Sequence, residues 1–412
     1  MVRAAVFAFL LLAPVPAGRG GEGLRLDEAL REALASNPEL LAARKASEAA
    51  AARIPQAAAL NDPLLELEYD RINADRMATG RPMQMYSITQ ELPFPVKLYY
   101  RAKIASRIAR AAHANYLAKE HDIAARVKGA FADLFLAHSS AAIMEENRRL
   151  LGQYSGIATE RYAAGKGTQA EALKAQVELA RADNELVLIE QRRLTAQARL
   201  NVLMGRPPER EIGAPRPASP PPRAPSLGEL YSIAQESNPE LAAYRYAVER
   251  GEAALALSAN EFMPDLMVKF SQMVKRGDLQ GGMWAGSLGV TIPLWFIQKQ
   301  AFGVREMKLE LDEVRAERRM KEQSVALDIR DSLARATANW KLLRLYDGAF
   351  IPQAEEMVRA ALKSYEAGAG DFLNLLDSQR TLIEFRNERA RASMGLSAAV
   401  ADLERAAGRE IR

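Results

Sequence analysis

The 412-residue chain contains no cysteine. Disulfide bonds, thiolate metal sites and a catalytic thiol are therefore excluded, and we expect no lipid anchor on an N-terminal cysteine. Histidine is almost as scarce, because His113, His121 and His138 are the only three and no further ligand follows at a useful spacing. Since zinc needs three or four ligands, the sequence predicts no metal site and no cofactor.

Long apolar runs are also missing. The stretch Ala4–Ala13 ends at Pro14 and is too short to span a bilayer as a helix. With Arg3 before it and the small residues around Ala17 after it, residues 1–17 are predicted to be a secretion signal peptide. The rest of the chain has no run of 18 apolar residues. If the protein enters a membrane, we expect it to do so without helices.

Positive and negative residues are nearly equal in number and are not clustered along the sequence. The 56 basic and 52 acidic residues are interleaved and give a net charge of +4. Nucleic-acid binding needs basic residues clustered on one face, so it is not expected. A nucleophile elbow, a phosphate loop and a metal-binding helix motif are all missing from the sequence, which predicts no catalytic residues and no enzyme activity.

The chain is a tandem repeat with an offset of about 200 residues. Leu26–Leu40 and Leu227–Leu241 are identical at eight of fifteen positions, and both contain Ser-Asn-Pro-Glu-Leu. Later parts recur in the same order, including a Tyr-x-x-Gly-x-Gly motif at 162–167 and 365–370. We therefore predict repeat 1 at 18–204, a proline-rich linker at 205–226 and repeat 2 at 227–412.

Each repeat has the same predicted order of elements. Short helices come first, the second starting at Asn37-Pro38 or Asn238-Pro239. Alternating apolar and polar residues then predict β-hairpins at about 64–92 and 265–292. Long helical hairpins follow at 96–204 and 298–407, and Pro352 is expected to kink or locally break the outgoing helix of the second.

The returning helices carry two apolar stripes each. One stripe keeps a heptad spacing from Ala172 to Leu203 and again from Leu375 to Ala406, and a second includes Leu173, Val177 and Val187. Two stripes need two partners, so these helices belong to a sheet or ring of coiled coils. The fold class is therefore mainly α with a small β part.

The number of strands predicts an assembly. Four strands of nine or ten residues with one apolar face fit a tilted bilayer crossing, but the smallest membrane barrels have about eight strands. An open sheet edge is not tolerated in lipid, so several copies would have to complete one barrel. The alternative is a soluble periplasmic coiled-coil scaffold or adaptor, which would leave the amphipathic strands without a role.

At this point the residues resemble a known family, the TolC-like outer membrane factors. The resemblance is carried by the paired Ser-Asn-Pro-Glu-Leu segments, by ITQELPFP at 88–95, by VTIPLW at 290–295 and by the long segment Ile351–Leu382. The basic residue after ELPFP is similar to the heavy-metal and cation efflux branch, although Val96 replaces the usual glycine there.

The resemblance implies an exit duct of a tripartite efflux system in the Gram-negative outer membrane. It implies a homotrimer with a twelve-stranded barrel in outer membrane lipid and a twelve-helix periplasmic tunnel. It also implies two partners, a periplasmic adaptor (membrane fusion) protein and an inner-membrane efflux pump of the RND type. Export would be passive.

The resemblance also assigns residues to three places. The helix turns would be tips that dock the adaptor, at Gly165, Gly167, Thr168, Gly368 and Gly370. The pore constriction would fall on Asn374 and Asp377, with Asp371 and Glu171 as nearby sources of charge. Pro93, Pro95 and Pro293 would mark the junction of barrel and helices.

Plainer interpretations stand beside several of these assignments. Asp371 directly after a glycine suits a helix N-cap. The methionines that flank the hairpin tips (Met77, Met83, Met85, Met273 and Met283) could bind soft metals or fill gaps at the lipid interface. Trp295 and Phe296 fit either an interfacial aromatic belt or packing at the junction.

Overall fold

A computed structural model describes residues 23–70, 83–216, 226–275 and 282–411. The predicted signal peptide and the hairpin tips lie outside these residues. The described elements follow one order twice. They are α1 (Leu26–Ser36), α2 (Pro38–Ala58), β1 (Leu64–Asp70), β2 (Met83–Leu92), α3 (Pro95–Ala163) and α4 (Gln169–Leu203), then α5 (Leu227–Ser237), α6 (Pro239–Asn260), β3 (Asp265–Lys275), β4 (Met283–Thr291), α7 (Gln300–Leu345), a π-helical turn (Tyr346–Phe350), α8 (Ile351–Glu366) and α9 (Phe372–Ala407).

The recurring Asn-Pro pair has a physical explanation in both repeats. The side-chain oxygen of Asn37 accepts hydrogen bonds from the N–H groups of Glu39 (2.9 Å) and Leu40 (3.2 Å), so it caps α2. Its side-chain nitrogen donates to the carbonyl oxygen of Leu203, the last residue of α4, at 2.9 Å. One buried amide therefore satisfies the start of one helix and the end of another.

The glycines that follow α4 and α9 bring these helix ends close to the asparagines. Gly205 and Gly408 have φ angles of +70° and +78°, which favours glycine because it lacks a Cβ. A Cβ on Gly408 would lie 2.6 Å from the carbonyl oxygen of Ser237. The Asn-Pro pair near the start of each repeat thus lies against the glycine at the end of the same repeat.

The four strands form one antiparallel sheet in the order β1-β2-β3-β4. The central pair, β2 and β3, joins the two repeats, with Ile88 opposite Phe270. One face carries exposed apolar side chains such as Leu65 and Leu288. The other face is polar and includes Glu66, which accepts hydrogen bonds from the ammonium of Lys269 (3.1 Å) and from Ser87. The predicted alternation of the strands is confirmed.

The long helices form two antiparallel hairpins. At 1.5 Å per residue, the 69 residues of α3 span about 100 Å. Helix α4 returns along α3, and α9 returns along α8 and α7 while also packing on α3. The described helices include none long and apolar enough to cross a bilayer.

The two apolar stripes of the returning helices have different environments. The heptad stripe is mostly buried within the chain, as at Ala175 and Leu200 in α4 and at Leu375 and Ala399 in α9. The second stripe of α4 is exposed, and includes Leu173, Val177, Val187 and Leu194. The first stripe meets its partner inside the chain, and the second presents an apolar face to the outside.

Proline 352 does not break its helix. A proline inside a helix lacks the N–H and its ring crowds the carbonyl four residues earlier. The π-helical turn at Tyr346–Phe350 widens the backbone immediately before α8 and accommodates the ring. Phe350 stacks on Phe385 of α9 with ring centroids 5.3 Å apart, and Arg389 pairs with Asp347 at 2.5 Å. A local break at Pro352 is therefore wrong, because the helix is continuous and a packed π-helical turn precedes the proline.

The first part of the linker packs on repeat 1. Ile212 is buried in the cluster formed by residues of α1, α3 and α4. The backbone N–H of Arg216 donates to the carbonyl oxygen of Leu24 at 3.0 Å. These contacts hold residues 205–216 against the repeat that they leave.

Candidate functional site: the paired helix tips

Both helical hairpins turn at their tips by the same backbone geometry. In the first tip, the N–H of Lys166 donates to the carbonyl oxygen of Arg161 (2.8 Å) and the N–H of Gly165 to that of Tyr162 (3.0 Å). In the second, the N–H of Ala369 donates to the carbonyl oxygen of Ser364 (3.0 Å) and the N–H of Gly368 to that of Tyr365 (3.1 Å). This is the Schellman arrangement, which needs a left-handed residue after the helix.

The glycines of the tips are required for different reasons. Gly165 and Gly368 have φ angles of +67° and +75°, where L side chains are strained. Gly370 has no such angle, but a Cβ there would lie 2.9 Å from the backbone of Ser364 and Tyr365. Gly167 has more room, since its nearest neighbour would be the Cβ of Arg161 at 3.2 Å.

Capping residues start the returning helices at both tips. The hydroxyl oxygen of Thr168 accepts the N–H of Glu171 at 3.3 Å. The carboxylate of Asp371 accepts the N–H of Leu373 at 3.2 Å. Asp371 therefore stabilises the first turn of α9, as expected for an acidic residue at a helix N-terminus.

A network centred on Tyr365 connects the two tips. The guanidinium of Arg161 donates to the carbonyl oxygen of Tyr365 at 2.8 Å and lies 4.7 Å from the centre of its ring. The hydroxyl of Tyr365 donates to the carboxylate of Glu171 at 3.2 Å. Burial, followed by the negative charge of Glu171, raises the pKa of Tyr365 to about 12. The phenol therefore stays neutral and remains a donor at neutral pH.

The network breaks the symmetry of the repeat. Tyr162 and Tyr365 hold the same place in the repeated motif, yet the side chain of Tyr162 is 47 % exposed and that of Tyr365 only 1 %. Tyr365 packs on Phe372 with ring centroids 5.2 Å apart. The sequence analysis did not assign a role to Arg161, whose counterpart in the second repeat is Ser364, or to Tyr365, because the burial of Tyr365 depends on the contact between the two tips.

The predicted constriction residues lie on one exposed face of α9. Asn374 and Asp377 are exposed, and Leu373 beside them is an exposed apolar residue that the sequence analysis did not single out. The opposite face, with Leu375 and Leu376, is buried against the tip core. The four sequence-predicted residues thus divide into Asp371 as a cap, Glu171 in the network with Tyr365, and Asn374 and Asp377 on the exposed face of α9.

A second ionic contact joins α4 to α9 two turns above the tips. The buried carboxylate of Glu178 bonds Arg380 at 2.5 Å, and also meets Arg181 (3.1 Å) and Lys174 (3.6 Å). Burial alone would raise the pKa of Glu178, but the bond from Arg380 and the three positive charges hold it below its usual range. Beside it, the side-chain amide of Gln379 donates to that of Asn147 at 3.0 Å.

The junction of sheet and helices is held by a buried lysine. Pro95 starts α3, Pro93 is buried, and Pro293 is half-buried after β4. The ammonium of Lys97, 2 % exposed, lies 2.9 Å from the carboxylate of Asp265 and 2.9 Å from the carbonyl oxygen of Met263. The basic residue after ELPFP was noticed in the sequence, but its partner lies in the other repeat.

Histidine and carboxylate side chains do not gather into a metal site in the described part of the chain. Among the described residues, three or more His, Asp or Glu side chains placed to hold a metal ion are not found together. His113 lies beside the ring of Tyr116. Burial lowers the pKa of both His121 and His138, which favours the neutral form of both imidazoles.

Comparison with known proteins places this geometry among channels. The sequence matches the outer membrane efflux protein family over residues 29–206 and 230–409. It is 28 % identical over 375 residues to the cobalt-zinc-cadmium resistance protein CzcC of Cupriavidus metallidurans, covering 88 % of this chain and 85 % of that protein. The fold is similar to that of the outer membrane protein VceC of Vibrio cholerae, with a TM-score of 0.81 and 16 % identity over 94 % and 97 % of the two chains. It is also similar to the open state of the Neisseria gonorrhoeae MtrE channel, with a TM-score of 0.81 and 18 % identity over 93 % and 89 %.

Proposed function

The chain belongs to the outer membrane efflux protein family, whose members are channels of the Gram-negative outer membrane, and we propose that three copies form one passive exit duct. The observation that carries the proposal is the open sheet. Within the described residues, neither the outer edge of β1 nor that of β4 has a partner strand. Unpaired backbone groups are costly in lipid, so neighbouring copies close the sheet into a twelve-stranded barrel.

The helices support the same assembly. The exposed stripe of α4 and exposed apolar residues of α7, including Leu309, Met320 and Leu327, face away from their own chain. Burying such residues contributes about 25 cal/mol per Å² of apolar surface removed from water. Contact between α4 of one copy and α7 of the next would cover both faces and complete a helical tunnel below the barrel.

Transport through this duct is a matter of gating. Asp377, Asn374 and Leu373 narrow the pore at the tips, where three copies of one carboxylate focus an electric field on passing cations. The network of Arg161, Tyr365 and Glu171 holds the second tip against the first in the closed state. An adaptor that docks on the tip turns opens the duct by replacing these contacts.

The partners are a periplasmic adaptor and an inner-membrane pump of the RND type, and the cargo is metal cations. Similarity to CzcC, a cobalt-zinc-cadmium resistance protein, supports the cargo. A strain that lacks the gene should become sensitive to cobalt, zinc and cadmium, and the wild-type gene should restore resistance. Unchanged sensitivity in the deletion strain would contradict the metal cargo but not the duct.

The duct itself is tested in planar bilayers with the purified protein. The wild type should form trimers and give small stepwise conductance, and Asp377→Ala should raise it because the charged ring is lost. Asp27→Ala, an exposed carboxylate on α1 away from the tips, is the matched control and should leave conductance unchanged. Equal conductance in all three proteins would exclude Asp377 from the pore, and no channels from the wild type would refute the duct.

A further inference from the structure

The methionines of the sheet all lie on one face. Strand register places Met85, Met267, Met273 and Met283, the four strand methionines whose side chains are described, on the polar face that also carries Lys269. Filling gaps at a lipid interface would put them on the opposite, apolar face. Their position calls for another explanation.

Three of these methionines are direct neighbours across the sheet. Met85 is opposite Met273, and Met273 is opposite Met283. Opposed residues on antiparallel strands have Cβ atoms about 4.5–5.5 Å apart. Because methionine has three rotatable side-chain bonds, the three sulfur atoms can converge on one ion. Met267 shares the face, but its neighbours are Glu91 and Gly289.

Met85, Met273 and Met283, which we call the methionine row, are open to solution and lie next to a negative charge. Met283 is 69 % exposed, and Met85 and Met273 are partly exposed. Glu68, whose side chain is exposed, stands opposite Met85 in the same row. The row is at the ends of the strands away from the helices, so on the proposed barrel it lines the outer mouth of the lumen.

We propose that Met85, Met273 and Met283 form a binding site for soft monovalent metal cations, Cu(I) or Ag(I). Thioether sulfur is a soft, uncharged ligand that suits Cu(I), whereas carboxylates and imidazoles suit harder ions. Three neutral sulfurs hold the ion without releasing a proton, and the nearby carboxylate attracts it. In the trimer, three such sites would ring the mouth and bind weakly enough for ions to leave. Only the position in the lumen rests on the proposed function.

The test is a calorimetric titration of the purified trimer with Ag(I) in chloride-free nitrate buffer. The wild type should bind one Ag(I) per chain. Replacing all three methionines by leucine, which conserves volume, should abolish this binding, and Met273→Leu alone should weaken it. Met267→Leu is the matched control on the same face and should bind as the wild type does. Equal Ag(I) binding by the wild type and the triple variant would overturn the site.

Two further measurements separate this inference from the proposed function. A parallel Zn²⁺ titration should be the same for the wild type and the triple variant, and loss of Zn²⁺ binding in the variant would contradict a soft site. Both proteins should form channels in planar bilayers. If channels form but Ag(I) binding does not depend on the three methionines, the site is wrong and the duct stands. Failure of the wild type to form channels would refute the duct instead.

Discussion

Removing the amide of Asn238 should destabilise the protein through two helix ends at once. This side chain is 3 % exposed. Its oxygen accepts from the N–H groups of Glu240 (2.8 Å) and Leu241 (3.1 Å), and its nitrogen donates to the carbonyl oxygen of Ala406 at 2.7 Å. Asn238→Ala loses the cap of α6, which costs about 0.5–2 kcal/mol. It also leaves a buried carbonyl without a donor, which costs about 1–3 kcal/mol.

A serine at the same position separates the two contributions. Asn238→Ser keeps an oxygen that can cap α6 but cannot reach Ala406, so we expect it to recover only the cap. The matched control is Ser226→Ala, which removes an exposed cap of α5 (Ser226 accepts the N–H of Glu229 at 3.4 Å) and should cost about 0.5–1 kcal/mol.

The assay is thermal unfolding of the purified trimer, followed by circular dichroism at one fixed scan rate. In a unit of roughly 200 residues, each kcal/mol lowers Tm by about 2–4 °C. The order of Tm should therefore be wild type, then Ser226→Ala, then Asn238→Ser, with Asn238→Ala lowest. The reasoning is refuted if Asn238→Ala costs no more than Ser226→Ala, because the second hydrogen-bonded helix end would then contribute nothing.

Three other predictions follow from contacts in the helices and at the sheet. Tyr365→Phe removes the hydrogen bond from the buried phenol to the half-buried carboxylate of Glu171, worth about 1 kcal/mol, and should raise open probability in planar bilayers; unchanged gating would exclude the contact from the closed state. The pKa of Glu178 is lower in the folded protein than in the unfolded chain. Its contact with Arg380 is therefore fully present above the pKa that Glu178 has in the unfolded chain, and is lost as the pH falls through the pKa that it has in the folded protein. Channel opening should therefore increase in acid below the usual carboxyl range, and Glu178→Gln should remove this dependence. Trp295 is 73 % exposed four residues after the end of β4, so in a variant whose other two tryptophans are phenylalanine its fluorescence should be quenched by lipids brominated near the headgroup, and no quenching would indicate packing on a neighbouring copy.

The parts of the fold that depend on neighbouring residues could be predicted from the sequence. Asn37 and Asn238 stand before prolines, so the caps of α2 and α6 follow from local chemistry. The glycines at 165 and 368 end helices because no other residue adopts their φ angles easily. The alternation of apolar and polar residues, as at Leu65 and Glu66, likewise indicates which side chains of a strand share a face.

The parts that depend on long-range packing could not be predicted. The repeat gives Tyr162 and Tyr365 the same place in the Tyr-x-x-Gly-x-Gly motif, and only the docking of one tip on the other buries the second tyrosine. The methionine row depends on the pairing of β2 with β3, which crosses from one repeat to the other. Lys97 is separated from its partner Asp265 by 168 residues. Each of these contacts requires the register between repeats, which periodicity within one repeat does not contain.

The π-helical turn makes the two hairpins mechanically unequal. Helix α3 runs from Pro95 to Ala163 as an uninterrupted rod, whereas the outgoing arm of the second hairpin, though continuous, contains the π-helical turn Tyr346–Phe350, the kind of irregularity at which long helices bend. A load applied at the far end bends a rod along its whole length but concentrates curvature at a joint. A pull on the tips would therefore swing α8 about this point while α3 acts as a fixed strut. We therefore expect bending of the second hairpin to concentrate in this five-residue segment.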